Sequence, residues 1–71
     1  MNKYSISFNF MRWSGSSDKE AKEETFVTSL ECQNDTEAIK NLDTEIEKRK
    51  LELESKGFRF RLVWREFKVI K

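Results

Sequence analysis

Between residues 4 and 13 the chain alternates strictly, with Tyr4, Ile6, Phe8 and Phe10 on one side and Ser5, Ser7, Asn9, Met11 and Trp13 on the other. A period of two with one apolar face predicts a strand half covered by something else. Residues 14–21 are small, polar and charged, and Gly15 suits a turn. Alternation returns over 22–32, where Phe26, Thr28, Leu30 and Cys32 share a side and Val27 lies opposite. This second strand is less apolar than the first and is joined to it by a long hairpin loop.

The period then changes. Ile39, Leu42, Ile46 and Leu53 form a helical stripe within 34–56. Asn34 followed three residues later by Glu37 reads as a capping start, and Asp35 and Glu37 suit the positive end of the helix dipole. Lys56 falls in the last turn and Gly57 is placed as the residue that ends the helix. From 58 to 70 alternation resumes: Phe58, Phe60, Leu62 and Trp64 are expected to face inward, and Arg59, Arg61, Val63 and Arg65 outward. Beyond Glu66 the pattern weakens, and a bulge or strand end is expected there.

The predicted order is therefore ββαβ over a single domain spanning residues 1–71, with strands at about 4–13, 22–32 and 58–70 and a helix at about 35–56. The crossover through the helix makes the third strand parallel to the second and antiparallel to the first. The first strand is the most apolar and should be central. This gives a three-stranded α+β sandwich in the order 2-1-3, with one helix on one face and the other face open. A 1-2-3 order with a parallel pair is the alternative.

Composition narrows the chemistry. The 71 residues include nine aromatics, one Cys, no His and no Pro. Nine aromatics are enough for a small core and speak against disorder. A lone Cys makes no internal disulfide, and without His there is neither a zinc-ligand spacing nor a Cys/His nucleophile pair. Cys32 has no base to activate it and reads as a structural thiol. No phosphate-binding glycine loop is present, and the carboxylates fall on predicted surfaces. We therefore expect no enzyme, no cofactor and no metal. No apolar run approaches the roughly 18 residues of a membrane span, and no leader pattern opens the chain. A reducing cytoplasm is the expected setting.

Net charge is +1 but is segregated: residues 14–47 hold three lysines against ten acids, and residues 48–71 hold nine basic residues against three acids. Such a chain offers a basic surface while staying near neutrality. Arg59, Arg61 and Arg65 are expected on the open sheet face, with Arg59 near Trp13 and Arg61 near Met11. Val27, Val63, Phe67 and Val69 would add apolar area to it. Arg, Trp and Met together resemble the centre of a protein interface, although arginines on a sheet also keep it soluble and guard an edge.

The partner-binding candidates are thus Met11, Trp13, Arg59, Arg61 and Arg65. The expected partner is another protein, with a homodimer through the open face or an edge strand as a further arrangement. The alternative is a nucleic-acid-binding surface in which arginines hold phosphates and Trp13 stacks on a base. By analogy of fold alone, small ββαβ chains without catalytic groups suggest an inhibitor or adaptor of phage or mobile-element type that acts on a host complex.

Overall fold

The computed structural model describes residues 1–15 and 21–70. Asp18 and Glu20 of the acidic loop lie outside these residues. The elements follow the expected order: β1 (Asn2–Trp13), β2 (Lys22–Cys32), α1 (Asp35–Ser55) and β3 (Arg59–Ile70). The sheet order is β2-β1-β3, and β1 is antiparallel to both neighbours.

The helix starts and stops where its local chemistry dictates. The Asn34 side chain accepts a hydrogen bond from the Glu37 amide at 2.9 Å, which satisfies one of the first-turn donors. At the far end Gly57 adopts φ +79°. Its amide donates to the Glu54 carbonyl, and the Phe58 amide to the Leu53 carbonyl, each at 3.0 Å. This paired closure is the Schellman arrangement, and a left-handed residue at its centre favours glycine. Phe58 and Leu53 then meet in the core.

Between helix and sheet, Ile6, Phe8 and Phe10 pack with Leu42, Ile46 and Leu53. Phe26 stacks on Phe8 with ring centres 5.1 Å apart, and Phe60 meets Phe10 edge-on at 5.8 Å. A second cluster joins Tyr4, Cys32 and Ala38. Cys32 is fully buried, and its sulfur accepts from Asn41 Nδ2 at 3.5 Å. Tyr4 is buried as well, and its hydroxyl donates to Asp35 Oδ1 at 2.6 Å. This bond satisfies a polar atom that burial would otherwise strand.

One irregularity decides which side chains reach which face. Phe10 pairs with Leu62 but Asn9 pairs with Trp64, so the register shifts by one residue at Val63. An extra residue in one strand reverses the facing of everything beyond it. The expected inward position of Trp64 is therefore wrong: it stands on the open face, 41% exposed. The expected outward position of Arg65 is wrong for the same reason. Arg65 lies opposite Phe8 on the helix side and is ion-paired with Asp43 of α1. Phe67 and Val69 likewise pair with Ile6 and Tyr4 on the helix side and do not extend the open face. The shift lies at Val63, upstream of the expected irregularity beyond Glu66.

Candidate functional site

The open sheet face is built from the odd positions of β1 and β2 and from β3 residues on either side of the shift. At one end Trp13 pairs with Arg59 and Met11 with Arg61, as the alternation predicts. Arg61 Nη2 lies 3.6 Å from the Met11 sulfur, a weak acceptor that holds the guanidinium over the strand. Trp13 and Met11 are half-buried, whereas Arg59 and Arg61 are exposed.

Next along the sheet, Asn9 lies between Thr25 of β2 and Trp64 of β3. Asn9 is 4% exposed although it belongs to the open face. Its Nδ2 donates to Thr25 Oγ1 at 2.9 Å, while its Oδ1 is buried without a hydrogen-bond partner among the described residues. Trp64 is thus an addition to the candidate set that sequence alternation placed inside. The signal that could have found it is a change of phase. Apolar inward positions are even at 58, 60 and 62 and odd at 67 and 69, so one extra residue must fall between them.

Arginine partners separate the two faces. On the helix side Glu24 stands between two guanidinium groups, with Arg12 Nε 2.6 Å from one carboxylate oxygen and Arg49 Nη2 2.5 Å from the other. Arg49 also reaches Glu52 at 2.6 Å. Arg12 lies over the Phe58 ring at 4.9 Å and Arg49 over Phe26 at 4.7 Å, so their stems and faces seal the core edge. Arg65 is paired with Asp43. These three arginines hold the fold together. Among the described residues, Arg59 and Arg61 make no ion pair. The structure therefore brings together Met11, Trp13, Arg59 and Arg61 of the predicted set, and separates Arg65 from them.

Other surfaces offer less. A hollow of about 230 Å³ is lined by Arg12, Trp13, Ser14, Lys22 and Phe58, but its main cation is committed to Glu24. A shallow depression runs along Ile39, Lys40, Thr44 and Leu51, with its whole lining drawn from the single helix α1. No group of three or more His, Cys, Asp or Glu residues that could hold a metal is found among the described residues. Among the described residues no helix is long and apolar enough to cross a membrane.

Comparison with known proteins finds no family model, no curated protein and no solved structure that matches this chain. The fold and the open face are thus the observations from which a role can be argued.

Proposed function

We propose that the protein is a non-enzymatic binding module that engages another protein through the open face of its sheet, centred on Met11, Trp13, Arg59 and Arg61, with Trp64 beside them. The observation that carries this reading is the pairing of two arginines, which make no ion pair among the described residues, with a Trp and a Met on one sheet face. Arg, Trp and Met are enriched at interface centres. Strand-borne side chains are also pre-organised, so little ordering is needed on binding. In this reading the chain acts as an inhibitor or adaptor by occupying a surface of a larger complex.

A second reading, binding of single-stranded nucleic acid, is favoured by one specific feature. Trp13 and Trp64 share the face with Arg59 and Arg61, which is the combination of stacking platforms and phosphate contacts that such binders use. Salt distinguishes the two, because phosphate contacts lose affinity steeply as salt rises whereas an apolar protein interface does not.

The test is affinity capture from the cell of origin with the parent chain and the Arg59→Ala/Arg61→Ala variant, each with and without nuclease. A protein retained by the parent after nuclease treatment and lost by the variant supports the proposal. Equal retention by both removes the open face from consideration, and retention abolished by nuclease moves the reading to nucleic acid.

A further inference from the structure

The order β2-β1-β3 leaves two edge strands, and they differ in character. Exposed large apolar side chains gather on β3: Val63, Trp64, Val69 and Ile70 are each between 41% and 44% exposed. On β2 the only comparable side chain is Val27, and Glu23 and Glu31 stand toward its two ends. An edge strand with a regular, apolar stretch is a template for pairing with another chain. A regular stretch, apolar at Trp64, Phe67, Val69 and Ile70 and charged at Arg65, Glu66 and Lys68, runs from Trp64 to Ile70, where the register with β1 is unbroken.

We infer that β3 pairs with β3 of a second copy, antiparallel, about a two-fold axis normal to the sheet at Phe67. The sequence of this stretch is complementary to itself in that register. Rotation about Phe67 sets Glu66 opposite Lys68 of the second copy and Lys68 opposite the second copy's Glu66. It sets Trp64 opposite Ile70, Arg65 opposite Val69, and Phe67 opposite Phe67. Because the paired positions have the same parity, open-face residues meet open-face residues and helix-side residues meet helix-side residues.

Glu66 and Lys68 already pair within one chain at 3.0 Å, so the two copies together form a square of alternating charge. Opposite charges across a strand pair are favourable and like charges are not. The arginine-rich end does not oppose this association. Arg59 and Arg61 lie beyond the paired stretch, and Arg65 is neutralised by Asp43.

Sterics agree with the arrangement. Each helix packs over β1 and β3, against Ile6, Phe8 and Phe10 of the one and Leu62 and Phe67 of the other. In the joined sheet, 2-1-3-3-1-2, helices set between β1 and β3 are two strand spacings apart, about 10 Å. Packed helices sit about 8–10 Å apart, so the two fit side by side in contact on that face. The contact is isologous and closes on itself, so it yields a dimer and not a fibre. Seven residues from each copy make a small interface, so the dimer builds up with protein concentration. Of the binding face proposed above, Met11, Trp13, Arg59 and Arg61 lie outside the paired strip and only the flanking Trp64 is shared with it, so the charge reversals at Glu66 and Lys68 test the dimer without touching that face's centre.

Sedimentation of the full chain over a range of concentrations tests it, with Glu66→Lys, Lys68→Glu and the double exchange alongside the parent. These side chains are exposed, so circular dichroism should show all four chains folded alike. The parent should rise from monomer to a plateau at the dimer mass. Each single reversal should weaken association by at least about tenfold, because it sets like charges opposite each other twice. The double exchange should restore association, because it recreates both opposite-charge pairs. A parent that remains a monomer, a mass that climbs past the dimer without a plateau, or a double exchange no better than the single reversals each overturns the inference.

Discussion

Arg65 of β3 and Asp43 of α1 form an ion pair across the helix side of the molecule. The pair exists because Val63 is an extra residue in β3 and turns Arg65 away from the face occupied by Arg59 and Arg61. Arginines four and six residues apart on one strand thereby take different tasks. Arg65 joins sheet to helix, and the other two lie on the open face.

Replacing Arg65 by Ala should cost at most about 1 kcal/mol, because the two side chains are about half exposed and exposed ion pairs contribute little. It should leave partner binding unchanged. Denaturant titration and a binding isotherm check both parts. A loss of binding matching that of the open-face variant would return Arg65 to the site.

The Arg59→Ala/Arg61→Ala variant should fold almost as the parent does, since exposed substitutions usually stay within about 0.5 kcal/mol each. Its affinity for the partner should fall by at least about 2 kcal/mol, as for hot-spot residues. Calorimetric titration against the captured partner measures this, and parental affinity in a folded variant would contradict the proposed interface.

Phe8 is 6% exposed and touches Phe10 and Phe26. Truncation to Ala removes a ring from the centre of the helix–sheet contact and should cost about 3–5 kcal/mol. That is a large share of the stability of a domain this small. An unchanged melting temperature would show that the core is not organised around β1.

Glu24 neutralises Arg12 and Arg49 together at the rim of the core. With 28% of its side chain exposed, the carboxylate is sheltered enough for its removal to matter. Glu24→Gln should cost about 1–3 kcal/mol, since two partly buried guanidinium groups lose their shared acceptor. Raising salt should narrow the gap between variant and parent only modestly, because sheltered pairs are poorly screened. Urea unfolding at low and high salt provides the comparison.

Tyr4 titrates above its ordinary value, first because its hydroxyl donates to the Asp35 carboxylate, then because it is buried and beside that negative charge. The folded state thus holds the proton to higher pH than the unfolded chain does. The resulting stabilisation is present in full below the ordinary tyrosine value of about 10 and is lost as pH rises through the raised one. The stability difference between the parent and Tyr4→Phe should therefore be constant from neutrality to about pH 9 and change on the alkaline side only above about pH 10. A difference that already changes near neutrality would point to another group, although the chain has no His to titrate there.

The sequence by itself determined the elements, their order and most of their facing. Period-two alternation in β1 and β2, the helical stripe through Leu42 and Ile46, and the stops at Asn34 and Gly57 are local signals, and each arises from a few neighbouring residues. The 2-1-3 order is the expected one, because the most apolar strand gains most by being central, but the 1-2-3 alternative is closed only by the pairing of β1 with both neighbours. The pairing of Trp13 with Arg59 and of Met11 with Arg61 followed once the strands were taken as antiparallel. What only the tertiary structure decided was the far half of β3. Leu62, Val63 and Trp64 are three apolar residues in succession, and alternation within the strand does not say which of them is the extra one. That choice depends on Asn9 and Phe10 of the neighbouring strand and on Asp43 of the helix. Placing the shift at Val63 half-buries Phe67 beside Ile6, gives Arg65 a carboxylate partner and moves Trp64 into the open. These gains belong to contacts between residues distant in the chain, so they do not show in the pattern of the strand alone.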